Sequence, residues 1–101
     1  MTYEVILAPK AVETFDAIYD QIASRFGANV AKQFNRRVIQ VLDTISVAPF
    51  IFKTIRENPN VRKGWIHKNC SFFYEIIGDQ IHVLVFWDNR QEPLMEPDEL
   101  G

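Results

Sequence analysis

The sequence has one cysteine, two histidines and four glycines in 101 residues, and no long uninterrupted apolar run. A single thiol, Cys70, cannot close an intramolecular disulfide, and its place in an apolar stretch reads as a buried core thiol rather than a nucleophile. His67 and His82 have no Cys or carboxylate at metal-ligand spacing, so no metal site is expected. The P-loop, nucleophile-elbow and zinc signatures are also missing. No stretch approaches the roughly 18 consecutive apolar residues of a membrane span, and the start of the chain lacks the basic residues and apolar run of a secretory signal. A cytoplasmic protein with no cofactor and no membrane contact is therefore expected.

What is present is the make-up of an ordinary globular domain, 48% apolar and 24% charged. The length suits one domain over residues 1–101, with about 94–101 set apart as an acidic tail. The net charge of −2 conceals a segregation along the chain. From Lys53 to Lys68 five cations (Lys53, Arg56, Arg62, Lys63, Lys68) meet only Glu57, a net +4. From Asn69 onward Arg90 stands alone among seven carboxylates, a net −6. The basic band suits either phosphate contact or a plain solvated face, and an acidic chain makes a poor nonspecific nucleic-acid binder.

The periodicity predicts an α+β order. An extended run from Tyr3 to Ala8 leads to Pro9, placed where a first helical residue tolerates the missing N–H. Val12, Phe15, Ile18, Tyr19, Ile22 and Phe26 recur at three- and four-residue spacing, which predicts a helix ended by Gly27. A second helix is expected from near Asn29 to Pro49, with Val30, Phe34, Val38, Val41, Leu42 and Ile45 on one stripe. So short a link makes the two antiparallel. Phe50, Ile51 and Phe52 are expected to plug the end of the core. Strands follow at about Val61 to His67, Cys70 to Ile77 and Gln80 to Trp87, the last two joined by Gly78-Asp79, where Gly supplies the positive φ of a primed hairpin turn. These three strands should form an antiparallel meander with the helix pair on one face, a βααβββ domain.

This order, with the stretch 62–68, the core Phe72-Phe73-Tyr74-Glu75-Ile76 and the ending Val83-Leu84-Val85-Phe86-Trp87-Asp88-Asn89-Arg90-Gln91-Glu92-Pro93, resembles the RelE/ParE superfamily of toxins from bacterial type II toxin-antitoxin systems. The resemblance runs from Tyr3 to Pro93. It implies a growth-inhibiting protein held inactive by a cognate antitoxin, and one of two actions. A RelE-like toxin is a metal-independent endoribonuclease that cleaves mRNA in the ribosome by directing a 2′-hydroxyl at the adjacent phosphate. A ParE-like toxin poisons DNA gyrase with no covalent chemistry of its own.

Cleavage requires a base, cations for the developing phosphorane charge and a proton for the leaving oxygen. The candidates for that work are Arg62, Lys63, Arg90 and Asp88. Lys53, Arg56, Arg62, Lys63, Lys68 and Arg90 are the candidates for contact with a nucleic acid or protein target. Tyr74 reads as a core tyrosine or a proton carrier, and Asp88 and Arg90 share strand parity and can form a salt bridge. Where the family shows a basic or aromatic pair ahead of the central Tyr, and His or Gly two residues before the terminal Arg, this chain has Cys70-Ser71 and Asp88. That loss, with the acidic balance, favours the ParE-like action. The alternatives are a RelE-like ribonuclease and a non-toxic antitoxin-binding module.

Overall fold

The computed structural model of the chain describes residues 2–90, so the expected acidic tail lies outside the described residues. β1 (Glu4–Leu7) leads into α1 (Pro9–Phe26), which turns at Gly27 into α2 (Ala28–Val47). β2 (Val61–His67), β3 (Cys70–Ile77) and β4 (Gln80–Asp88) follow. Pro9 opens α1, and Gly27 separates the helices at φ +98°, a backbone conformation that a side chain would strain. Gly78, at φ +62°, makes the β3–β4 turn.

The last three strands form the expected antiparallel meander, and β1 adds parallel to β4, giving a mixed sheet in the order β1-β4-β3-β2. One face carries the helices. Ile18, Ile22, Phe34, Val38, Val41 and Ile45 are buried there against Phe72, Tyr74, Ile81, Val83 and Phe86. Phe15 and Leu42, also expected inside, are only partly buried. The opposite face holds a smaller cluster of Ile55, Val61, Phe73 and Val85.

A bulge decides which residues of β4 face the helices. Tyr74 pairs with Val83 but Phe73 pairs with Val85, so Leu84 is skipped and the alternation resets. Ile81 and Val83 point to the helices, Val85 points away, and Phe86 points to the helices again. β1 ends opposite Val83, so among the described residues the outer edge of β4 beyond it has no strand partner. Thr14 Oγ1 on α1 meets that need by accepting Phe86 N–H at 2.9 Å.

The loop after α2 departs from expectation. Phe52 does plug the core, edge-on to Phe72 and Tyr74 at 6.0 and 6.4 Å between ring centroids. Phe50 and Ile51 are exposed instead. Pro49 is buried and its carbonyl accepts the Tyr74 hydroxyl at 2.8 Å, which turns the two following side chains outward.

Candidate functional site

The bulge gives Asp88 the parity of Phe86, so its carboxylate ends β4 on the helix side and is buried. A charge there requires partners, and Arg90 supplies them. Its Nε and Nη2 donate to Asp88 Oδ1 and Oδ2 at 3.0 and 2.8 Å, and its backbone N–H donates to Oδ1 at 3.0 Å. Bidentate pairing is the strong form of this contact. The Arg90 side-chain hydrogen bond holds the Asp88 carboxyl below the usual carboxylate range against the opposing effect of burial. Of the two roles open to these residues in the sequence, the geometry displays the salt bridge.

The pair lines a cleft of about 340 Å³ between the tip of the helix hairpin and the β2–β3 turn. Its apolar wall is Ile18, Ile22, Phe26, Val30 and Phe34, and its polar rim is Arg37, His67, Asn69, Asp88 and Arg90. The stripes of α1 and α2 run on past the sheet here, so Phe26 is 55% and Val30 41% exposed although both belong to the predicted apolar faces. Arg37 Nε donates to Ile66 O at 3.0 Å, tying α2 to the end of β2. His67 Nδ1 accepts Asn69 N–H at 3.1 Å, and burial, then the charge of Arg90, holds its pKa below 6.5.

The basic band does not form one surface. Strand alternation sends Arg62 and Lys63 to opposite faces of β2. Arg62 Nη1 donates to Phe52 O at 2.6 Å, and its guanidinium lies 4.9 Å from the Phe50 ring centroid. Lys63 is buried on the other face, 4.7 Å from the Trp65 ring centroid and 5.9 Å from that of Phe73. Lys53, Arg56 and Lys68 are exposed in the connecting segments. Arg62, Lys63, Asp88 and Arg90, the four candidates for cleavage, therefore divide between the end of β4 and the two faces of β2.

Of the other proton carriers, His67 shares the cleft rim with Asp88 and Arg90, while Tyr74 and His82 lie away from it. Tyr74 is fully buried, and burial pushes its pKa up to about 12, so the hydroxyl keeps its proton and spends it on Pro49 O. Burial lifts the Cys70 thiol to about 12 as well, which removes it as a nucleophile at neutral pH. His82 Nε2 lies 3.0 Å from Gln80 Oε1 at the opposite end of β4 from Asp88. Among the described residues no three His, Cys, Asp or Glu side chains gather to hold a metal ion, and no helix is long and apolar enough to cross a membrane.

Two expected results test these assignments. Tyr74→Phe should lower stability by about 1 kcal/mol, the net contribution of one hydrogen bond, and leave growth inhibition unchanged. A folded variant that failed to inhibit growth would restore a role for the hydroxyl. Asp88→Asn should cost about 1–2 kcal/mol at pH 7. Because the folded carboxyl is depressed, its contribution is present above the ordinary carboxylate pKa of about 3.9 and is lost as pH falls through the folded value. The stability gap between wild type and Asp88→Asn should therefore close below about pH 4; a gap constant from pH 7 to pH 3 would contradict the salt bridge.

Comparison with known proteins places the family and the fold. The sequence matches the family model described as the ParE toxin of the type II toxin-antitoxin system, parDE, over residues 5–93. The fold is similar to a chain of the chromosomal ParDE system from P. aeruginosa, at 21% identity and TM-score 0.73, with 86% of this chain and 96% of that one covered. It is also similar to YoeB from Staphylococcus aureus, solved as a dimer (12% identity, TM-score 0.58, 86% and 97% covered). A third is E. coli toxin RelE, solved with a peptide of its antitoxin (16% identity, TM-score 0.52, 92% and 87% covered). No match is found among curated protein sequences.

Proposed function

Since the chain belongs to the ParE toxin family of type II toxin-antitoxin systems, we propose that its free form inhibits growth by docking on DNA gyrase, without covalent chemistry of its own. The observation that carries this reading is that Arg62 and Lys63 lie away from the cleft that Arg37, His67, Asp88 and Arg90 line, and that Asp88 in that cleft is held by Arg90. A ribonuclease needs its base, its cations and its acid within hydrogen-bond reach of one phosphodiester. Here Tyr74 and Cys70 keep their protons, Asp88 is held by Arg90, and Arg62 and Lys63 face opposite ways.

Its partner in the system is a cognate antitoxin. The cleft at the hairpin tip is the proposed seat of that antitoxin. It offers an apolar wall to an amphipathic helix and a polar rim to the residues flanking it. The Asp88–Arg90 pair and Arg37 fix the shape of that rim.

The test combines purified protein with gyrase and supercoiled DNA, and in parallel with ribosomes carrying a message. Expected are a loss of supercoiling activity or accumulation of broken DNA, and intact RNA. Specific mRNA fragments in the second arm, with gyrase unaffected in the first, would overturn the proposal in favour of the ribonuclease.

A further inference from the structure

The loop after α2 concentrates exposed apolar surface in a manner that packing does not explain. Val47 is 67% exposed, Phe50 63% and Ile51 57%. A segment needed only to stop a helix can do so with polar residues, since burial contributes nothing to side chains left in water.

The loop is nevertheless firmly held. Ala48 N–H bonds to Thr44 O at 2.8 Å and Ile51 N–H to Ala48 O at 3.2 Å. Tyr74 grips Pro49 from below, and Phe52 is packed into the aromatic core. Arg62 lies against the Phe50 ring with its Nη1 fastened to Phe52 O. Phe50 and Ile51 are thus presented by a rigid base, which spares a binding partner the cost of ordering them.

The surrounding charge has one dominant sign. Lys53 follows directly and Arg62 lies beneath the ring, while Glu57 is the one carboxylate between positions 47 and 68 and Asp43 stands a turn before Val47 on α2. An apolar knob with cations at its base is complementary to an apolar recess edged by carboxylates.

We propose that residues 47–53 form the surface by which the toxin engages its protein target, with Phe50 and Ile51 as anchors in a recess on the target lined by apolar groups and rimmed by acidic ones. The inference rests on the reading that the free chain acts by docking. It places the target contact on a different part of the molecule from the antitoxin cleft.

The test is a Phe50→Ser, Ile51→Ser double variant, with Lys53→Glu as a separate charge reversal. Because the altered residues are exposed and Phe50 gives up only its surface contact with Arg62, the melting temperature should fall by no more than a few degrees. The dose required for growth arrest should rise at least tenfold in each variant, while affinity for the cognate antitoxin changes less than twofold. Arrest at the wild-type dose by the folded double variant would overturn the proposal. So would a selective loss of antitoxin affinity, which would make the loop an antitoxin contact. A wild-type chain that self-associates in sedimentation, with association abolished in the double variant, would make it a contact between copies and overturn it too. The arrest readout does not depend on which target is engaged: if gyrase proves unaffected by wild-type protein while the double variant still loses arrest, the gyrase reading fails and the docking loop stands.

Discussion

Gly64→Ala is expected to destabilise the fold by about 3 kcal/mol, a large fraction of the 5–15 kcal/mol that holds a domain together. A Cβ at this position on β2 would lie 2.5 Å from Cε1 and Cζ of Phe72 and 3.0 Å from Cδ2 of Phe52. The Phe72 ring has no room to withdraw, being fully buried and packed by Phe52, Tyr74 and Phe86 at centroid separations of 5.5 to 6.0 Å. Phe72→Ala should cost about 3–5 kcal/mol through the opposite fault, a cavity. The two sites are coupled, since shortening the ring makes space for the methyl group. Chemical denaturation of Gly64→Ala, Phe72→Leu and the double variant should therefore show the double variant more stable than the sum of the singles, by about 1 kcal/mol or more. Strict additivity would mean that the close approach of the glycine to the ring is not what constrains this position.

Phe26→Asp combined with Val30→Asp should reduce antitoxin affinity on the order of a thousandfold, as expected for removing two anchors worth about 2 kcal/mol each. Both side chains line the cleft and both are exposed, so the fold should tolerate the change. The phenotype is specific. Cells producing this variant should arrest even when the antitoxin is present, because the loop proposed to engage the target lies outside the cleft. Calorimetric titration of toxin with antitoxin supplies the affinity, and circular dichroism shows that helix content is kept. Unchanged affinity would remove the hairpin tip from the antitoxin interface. The same measurement on an antitoxin lacking its C-terminal half separates a misplaced cleft from an antitoxin that does not bind through an amphipathic segment.

The two anchors illustrate how the candidate site could be read in part from sequence. Phe26 and Val30 were visible as members of apolar stripes, but nothing in a stripe says where the sheet beneath it ends. The packed part of the stripe became core and the overhanging part became the wall of a cleft. Phe50 and Ile51 pose the same ambiguity more sharply. An apolar triplet after a helix suggests a plug, and one of its three residues is a plug. The buried Pro49 and its hydrogen bond from Tyr74, twenty-five residues away in sequence, set which one.

Local chemistry in the sequence determined the elements and their order. Apolar spacing of three and four marked α1 and α2, Pro9 and Gly27 marked their limits, and Gly78-Asp79 marked the hairpin, because each depends on neighbours a few residues apart. The same string carries the family signature. Tertiary structure alone decided the faces. Strand alternation assigns sides only relative to a register, and the skipped Leu84 resets that register in mid-strand, sending Val85 away from the helices and Phe86 and Asp88 toward them. Only the assembled sheet could show which side of it Arg62 and Lys63 each take, with Arg62 against Phe50 and Phe52 and Lys63 against Trp65 and Phe73, and that Asp88 is buried on the helix side where Arg90 closes on it. These outcomes follow from pairing and packing between residues distant in sequence, where no local propensity reaches.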